Sequence, residues 1–177
     1  MKTIIHVLGT RPNFIKAAPL IKQMNKGGFQ NIILHTGQHF DENMSQLFFD
    51  ELSIPKPDYN LGISGGSHAE QTARMMIGCE KIFTQSKPDL VLVYGDVNSC
   101  VAAALSAKKM NLKLAHIEAG LRSFDRNMPE EINRIITDAI SDFHFATCKD
   151  ALINLKNEGV NMDSCYFVGN TMIDSLV

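Results

Sequence analysis

The sequence lacks the features that would place it in several large classes of protein. No apolar run approaches the roughly 20 residues that span a bilayer, and the first run, 3–8, is too short for a signal-peptide core. The formal net charge of −2 gives no support for nucleic acid or an anionic membrane as a partner. The cysteines lie far apart, which argues against a zinc site or a disulfide framework: Cys79, Cys100, Cys148 and Cys165. We therefore expect a soluble cytoplasmic protein with reduced thiols.

Common cofactor and nucleophile motifs are also absent. Without a G-x-G-x-x-G fingerprint or a G-K-[ST] phosphate loop, neither NAD nor ATP is favoured as a ligand. Without a G-x-S-x-G elbow or a cysteine backed by a nearby histidine, a covalent nucleophile is not suggested. His35 and His39 flank Gly37 and have no third ligand at a useful spacing, so we predict no metal site. Hydrogen bonding to a sugar or nucleotide is the better interpretation of these polar residues.

Short β-branched or apolar runs alternate with helical patterns along the chain. The runs KTIIHVLG, NIILHTG, DLVLVYGD, LKLAHIEAG, FHFATC and CYFVGN predict strands, and intervening segments such as ENMSQLFFDELSI predict helices. The stretch SIPKPDYNLGISGGS is rich in Pro, Gly and Ser and predicts a loop. At 177 residues the chain fits one domain, residues 1–177. We expect an α/β fold: a doubly wound, Rossmann-like parallel sheet of about six or seven strands with helices on both faces.

Four polar clusters follow the predicted strands, and in such folds ligands bind beyond the carboxyl ends of the strands. The clusters are GTR, TGQH, GD and EAGLR. In the first, Gly9 permits a tight turn and Pro12 presets the first turn of a helix. Arg11 beside that helix start and Lys16 one turn later predict a site for a diphosphate or another anionic leaving group. Alternatively, both cations are solvated surface charges.

Two acids follow the next strands. Asp96 stands at the tip of DLVLVY, where partial shielding from water can adjust a carboxylate for proton transfer. Alternatively, Asp96 caps the helix that begins near Val97. Glu118 ends the apolar run LKLAHI, and it either acts in the site or pairs with Arg122.

The stretch MPEEINR predicts a helix that begins at Pro129. Glu130 and Glu131 occupy its first turn, where negative charge favours the helix dipole, and this is the simpler explanation for Glu131. Glu130 and Arg134 are four residues apart and could form an ordinary ion pair, but a helix start that faces the crevice makes Glu130 a site candidate as well. Carboxylates at 96, 118 and 130, opposed by cations at 11, 16 and 134, suit a reaction that breaks a sugar–phosphate bond and moves a proton on carbon.

Six motifs, in this order, resemble the bacterial non-hydrolysing UDP-N-acetylglucosamine 2-epimerase family: GTRPNFIKAAP, HTGQH, YGDVNS, HIEAGLRSFDRNMPEEINR, ISDFHFA and FVGNTMID. The resemblance covers essentially the whole chain, and the fourth motif is its most specific part. It implies one half of a two-domain fold like that of B-type glycosyltransferases, with the active site between the domains. It also implies interconversion of UDP-GlcNAc and UDP-ManNAc without metal or nicotinamide. UDP leaves by anti elimination to give a 2-acetamidoglucal, and is then re-added as C2 is protonated on the opposite face.

The resemblance also implies roles for single residues. The family's acidic active-site residues match Asp96, Glu118 and Glu130, and its cationic residues match Arg11, Lys16 and Arg134. Which acid removes the C2 proton and which returns it stays open. Gln38 and Arg74 match part of an activator site for a second UDP-GlcNAc, whereas Asp41 replaces a glutamine expected there.

Two departures from the family pattern concern the substrate and the second domain. Asn13 replaces the glutamate of the commonest form, GTRPE, and is more like a subgroup that epimerises UDP-2,3-diacetamido-glucuronate. The family's second half, absent here, supplies the uridine pocket and a catalytic histidine. We therefore expect an N-terminal domain that needs a C-terminal domain or partner chain and is inactive alone, with a possible homodimer contact through ENMSQLFFDEL. The alternative is a non-catalytic domain that binds a sugar nucleotide or serves assembly.

Overall fold

The computed structural model describes residues 1–37 and 55–174, and this part of the chain is an α/β protein. The strands are β1 (Thr3–Leu8), β2 (Gln30–His35), β3 (Tyr59–Asn60), β4 (Leu90–Tyr94), β5 (Leu114–Ala119), β6 (Phe143–Ala146) and β7 (Cys165–Phe167). The helices are α1 (Arg11–Lys26), α2 (His68–Ser86), α3 (Asn98–Lys109), α4 (Pro129–Ile140), α5 (Lys149–Asn157) and α6 (Thr171–Asp174), with a 3-10 turn at Met162–Ser164.

The strands form one parallel sheet in the order β3-β2-β1-β4-β5-β6-β7. The chain builds outward from β1 to β3 and then crosses to β4, so the direction of growth reverses between β1 and β4. A crevice opens at such a switch point, beyond the carboxyl ends of the two neighbouring strands. The predicted doubly wound parallel sheet is confirmed, with seven strands in the described residues.

Helices cover both faces of the sheet because successive side chains of a strand point to opposite faces. On one face, Ile4 and Leu8 of β1 pack with Phe14 of α1 in a buried cluster. On the other face, a second buried cluster joins β1 to α2 and α3 through Ile5, Val7, Cys79, Phe83 and Ala103. Strands covered on both faces have near-continuous apolar sequences, which explains why the central strands could be predicted.

Two segments differ from the predictions or fall outside the description. The segment predicted as a loop contains the two-residue edge strand β3, which pairs with β2 through Tyr59 and Asn60. A strand this short leaves no alternation to detect in the sequence. The predicted helix ENMSQLFFDELSI, with its possible dimer contact, lies in 38–54, outside the described residues. No helix in the described ranges is long and apolar enough to cross a membrane.

Local sequence determines two of the helix starts. Ser67 Oγ accepts from the Glu70 N–H at 3.2 Å, and a Glu70 carboxylate oxygen accepts from the Ser67 N–H at 2.7 Å, which is a capping box. Pro129 begins α4, as its preference for the first helical turn predicts. The capping box and the proline therefore determine where α2 and α4 begin.

A buried histidine of β1 links three strands. His6 Nδ1 lies 2.6 Å from Tyr94 Oη on β4, and His6 Nε2 lies 2.9 Å from Asn31 Oδ1 on β2. Because the Asn31 amide oxygen can only accept, Nε2 carries the proton and Nδ1 accepts from the Tyr94 hydroxyl. Burial lowers the pKa of His6 to about 4, against a smaller raising effect of the Asn31 hydrogen bond, so the ring is neutral at pH 7.

His6 should make the fold less stable on mild acidification. An unfolded histidine has a pKa of about 6.5, so below that pH the unfolded chain binds more protons, and stability present above it is lost as the pH falls towards 4. We expect His6 to account for about 2 kcal/mol of the loss between pH 7 and pH 5. Urea unfolding at both pH values should show a weaker pH dependence for His6→Gln than for the parent; equal dependence would contradict a neutral His6.

Candidate active site

The crevice holds an ion pair between α1 and β5. Lys16 Nζ contacts Glu118 Oε2, and the two side chains are only 10% and 17% exposed. The alternative that Lys16 is a solvated surface charge is therefore wrong. Gly95, directly after β4, lies against this pair: a Cβ atom there would be 3.2 Å from Lys16 Nζ and 3.3 Å from Glu118 Oε2. With φ of +70°, Gly95 adopts the left-handed conformation that favours glycine, so any other residue would be strained and would crowd the pair.

The backbone of Glu118 is unusual for a residue near the end of a strand. Its φ is +75°, and the pairing of β5 with β6 shifts register between Ile117 and Ala119. A left-handed conformation at a non-glycine residue costs on the order of 1–2 kcal/mol and is often found at functional sites. The carboxylate of Glu118 meets Lys16 and not Arg122, so the alternative Glu118–Arg122 pair is wrong.

A second ion pair joins the turn after β4 to α4. Arg134 contacts Asp96 Oδ2 through one terminal nitrogen, and its other terminal nitrogen lies 3.0 Å from Glu131 Oε2. Asp96 follows Gly95 in the chain, so both ion pairs flank one turn. The capping alternative for Asp96 is wrong, since the residue that caps α3 is Val97 and the Asp96 carboxylate pairs with Arg134.

The two adjacent glutamates of α4 have different surroundings. The carboxylate of Glu131 is buried and accepts from the Ser123 N–H at 3.0 Å, the Phe124 N–H at 2.9 Å and Arg134. Burial acts to raise the pKa of Glu131, but these hydrogen bonds outweigh it and lower the pKa below its usual value. Glu131 thus fixes the loop before α4 and does more than favour the helix dipole.

Glu130 is half-buried in the first turn of α4, at the carboxyl edge of the sheet. The expected Glu130–Arg134 ion pair is wrong. Arg134 pairs instead with Glu131, three residues away, and with Asp96. Among the described residues the Glu130 side chain makes no hydrogen bond or ion pair. Its carboxylate is therefore not committed to a structural contact in this part of the chain.

The remaining predicted residues are not members of the two ion pairs or lie outside the described residues. Arg11 is exposed at the start of α1, beside the turn after β1. Arg74 on α2 donates to the carbonyl oxygen of Gly65 at 2.6 Å and of Glu70 at 3.4 Å, so it holds the turn before α2. The other residues considered for the activator site or as polar ligands fall within 38–54 and are not described: Gln38, His39 and Asp41.

The described residues contain no group of three or more His, Cys, Asp or Glu that could hold a metal ion. His35 is buried at the end of β2, and its ring meets Phe14 edge-on with centroids 5.1 Å apart. Burial lowers the pKa of His35 to about 4, against a smaller raising effect of a backbone hydrogen bond with Gly9. His35 is therefore a neutral residue that packs against α1.

Comparison with known proteins connects this geometry to a family. The family described as UDP-N-acetylglucosamine 2-epimerase matches residues 22–177. The chain belongs to this epimerase family.

Two relatives show the extent of the match. A UDP-N-acetylglucosamine 2-epimerase homolog of Methanococcus maripaludis is 55% identical, over 98% of this chain and 48% of the relative. The UDP-2,3-diacetamido-2,3-dideoxy-D-glucuronate 2-epimerase of Pseudomonas aeruginosa is 51% identical, over 97% of this chain and 49% of the relative. The chain thus spans about half the length of the curated relatives it matches.

Solved structures show the same fold. The crystal structure of Methanocaldococcus jannaschii UDP-GlcNAc 2-epimerase in complex with UDP-GlcNAc and UDP matches with a TM-score of 0.94 and 50% identity, covering 99% of this chain and 48% of that one. MurG of Acinetobacter baumannii, at 13% identity and a TM-score of 0.68, shares the fold alone. The predicted Rossmann-like half of a B-type glycosyltransferase-like fold is confirmed.

In this epimerase-family chain, Asn13 has a structural role that its position in the GTRPN motif did not predict. Its Oδ1 accepts from the N–H groups of Gly9 and Thr10 at 3.0 and 3.2 Å, and its Nδ2 donates to the Tyr94 carbonyl oxygen at 2.9 Å. The amide therefore ties the turn after β1 to the end of β4. A carboxylate could not make the bond to Tyr94, because it has no donor.

A buried ion network behind the crevice was also missed. The Arg122 side chain is 1% exposed and pairs with Asp138 at 2.8 Å and with Glu158 at 2.5 Å. The other oxygen of Asp138 lies 2.6 Å from His116 Nδ1. An arginine and a histidine in an apolar environment suggest acidic partners, but the partners are 16 or more residues away, and spacing alone does not identify them.

The adjacent glutamates of α4 provide a test of their different surroundings. Glu131→Gln should lower the free energy of unfolding by about 1–3 kcal/mol, because the new amide NH2 group would face the N–H groups of loop 123–124 and weaken the bond to Arg134. Glu130→Gln, one residue away, should change it by less than about 0.5 kcal/mol. Urea unfolding of both variants measures this, and equal losses would rule out a special structural role for Glu131.

Proposed function

We propose that this chain is the N-terminal half of a UDP-N-acetylhexosamine 2-epimerase. The observation that carries the proposal is the turn after β4, which is flanked by the Lys16–Glu118 and Arg134–Asp96 ion pairs at the carboxyl edge of the sheet. The names of several relatives, and the UDP-GlcNAc complex of a structure with the same fold, support UDP-GlcNAc as the first candidate substrate.

The proposed reaction requires groups for proton transfer and for a leaving diphosphate. One carboxylate removes the proton from C2 as the C1–O bond breaks, and the electron pair of that bond leaves with UDP. The C1=C2 double bond of the glucal is then attacked by UDP at C1, while C2 is protonated on the opposite face. We assign the proton transfers to Asp96, Glu118 and Glu130 together, and the diphosphate contacts to Arg11, Lys16 and Arg134.

The ion pairs suggest how substrate binding frees the acids to act on the sugar. Lys16 pairs with Glu118 and Arg134 pairs with Asp96, so each acid is held by a cation in the chain without a ligand. A bound diphosphate would compete for the same cations. The released carboxylates would then be free to contact the C2 proton of the bound sugar.

A second domain is part of this proposal. The relatives that match the chain extend over about twice its length, and the chain covers less than half of the UDP-GlcNAc-bound structure. We propose that a C-terminal domain, or a partner chain, closes the crevice and holds the uridine. On this view, the described residues by themselves provide one wall of the active site.

A second candidate substrate is UDP-2,3-diacetamido-glucuronate. The Pseudomonas aeruginosa relative named for this sugar is 51% identical, about the same as relatives named for UDP-GlcNAc. The neutral Asn13 between β1 and β4 favours this alternative, because a neutral residue near the crevice does not repel an anionic sugar. A non-catalytic sugar-nucleotide-binding domain is a third candidate.

Exchange of the C2 proton separates these candidates. With its second half supplied, the protein should exchange deuterium into C2 of UDP-GlcNAc or of UDP-2,3-diacetamido-glucuronate in 2H2O, followed by NMR. The chain alone should show little or no exchange. Binding of both sugars without exchange at C2 would favour the non-catalytic candidate and reject the epimerase.

Substitution of the three acids tests their assignment. Asp96→Asn, Glu118→Gln and Glu130→Gln should each lower the rate about a hundredfold or more, because each removes a group able to transfer a proton. Glu80→Gln is the matched control, since Glu80 is an exposed acid on α2. Near-normal rates of exchange in all three variants would remove these acids from the mechanism.

A further inference from the structure

His116 is buried inside the sheet, two residues before Glu118. It lies on β5 between Val93 of β4 and His144 of β6, and its exposed fraction is 0%. Its ring reaches two neighbouring elements. Nε2 lies 2.7 Å from the carbonyl oxygen of Gly95, and Nδ1 lies 2.6 Å from Asp138 Oδ1 on α4.

Both partners of His116 are acceptors, so both ring nitrogens must donate. A carbonyl oxygen has no proton to give, and a neutral imidazole has a single N–H. Asp138 is held as the anion, because its second oxygen accepts from the Gly120 N–H at 3.0 Å and pairs with Arg122 at 2.8 Å. The ring is therefore an imidazolium. Burial alone would lower the pKa of His116, but the charge and hydrogen bond of Asp138 hold it well above its usual value.

The Gly95 carbonyl oxygen accepts two hydrogen bonds from buried residues. His116 donates from β5, and Cys100 of α3 donates its S–H to the same oxygen at 3.1 Å. The Asp96 carbonyl oxygen, next along the chain, accepts from Asn133 of α4 at 2.8 Å. A hydrogen bond from a cation is stronger than one from a neutral donor, so His116 makes the strongest of these contacts.

We propose that His116 is a positioning residue for the epimerisation. It holds the peptide between Gly95 and Asp96 so that the Lys16–Glu118 pair packs against Gly95 while the Asp96 carboxylate faces Arg134. Asp138, anchored by Arg122, keeps the ring oriented. His116 does not contact the reacting atoms. It acts on the reaction only by holding the peptide group between Gly95 and Asp96. The proposal rests on the epimerase function proposed above.

The protonation state of His116 can be tested in the wild-type chain without an assay of enzymatic activity. With 15N-labelled histidine, both ring nitrogens of His116 should carry protons at pH 8. His6 is an internal reference, because its hydrogen bonds require a neutral ring protonated at Nε2 alone. A single protonated nitrogen on His116 would overturn the proposal.

Two substitutions separate the two contacts of the ring. The amide nitrogen of His116→Gln can replace Nε2 and donate to Gly95, whereas that of His116→Asn replaces Nδ1 and reaches only Asp138. His144→Asn is the matched control: His144 is equally buried, lies directly opposite on β6, and bonds Ser164 and the Asp138 carbonyl oxygen but not Gly95. The amide resonances of Gly95 and Asp96 should move in His116→Asn and stay in place in His144→Asn.

In the protein with both halves, His116→Asn should lower kcat about tenfold or more and change KM by less than about threefold. His116→Gln should recover most of that loss, and His144→Asn should leave kcat unchanged. An equal decrease in kcat for the two His116 variants, or a change in KM alone, would mean that His116 only packs in the core, and would overturn the proposal. If the parent shows no epimerisation at all, the proposed function fails, and the amide resonances still decide whether His116 holds the turn.

Discussion

The turn at Gly95 and Asp96 is the constraint on which the rest of this site depends. Gly95 has no side chain and a left-handed backbone, which leaves room for a lysine amine and a glutamate carboxylate to meet against its Cα. Asp96 follows at once and directs its carboxylate to Arg134 on α4. Any larger residue at 95 would separate charges that come from α1 and β5, so this one position joins the elements that form the crevice.

Charge balance explains how so many ionisable groups fit at the edge of a compact sheet. A partly buried charge is costly unless a partner is present, and here each acid in contact with the turn has a cation: Glu118 has Lys16, and Asp96 has Arg134. Behind them, His116, Asp138 and Arg122 form a second group that is buried more deeply, and the exposed Glu158 balances its charge. In the proposed function, the outer group exchanges partners with an anionic ligand, whereas the inner group holds the turn at Gly95 and Asp96 without contacting the ligand.

Glu130 stands apart from this balance. Its neighbour Glu131 supplies the structural contacts of the first turn of α4, which leaves Glu130 without a partner among the described residues. Two adjacent identical residues thus have different surroundings: Glu131 has a structural role, and Glu130 is the one that we propose for proton transfer. Local sequence cannot make that division, because both positions satisfy the same preference of a helix start for negative charge.

The sequence by itself determined the parallel sheet, the order of most elements along the chain and the edge where the candidate site would lie. Apolar runs such as DLVLVY can be recognised in the sequence, and polar residues directly after parallel strands must lie at one edge of the sheet. Only the tertiary structure decided which charges pair. Lys16 and Glu118 are 102 residues apart, Arg134 and Asp96 are 38 apart, and the helical spacing that suggested Glu130–Arg134 was overridden by a nearer carboxylate. Pairing depends on distances across the fold, and helix periodicity reports only on neighbours within a few turns.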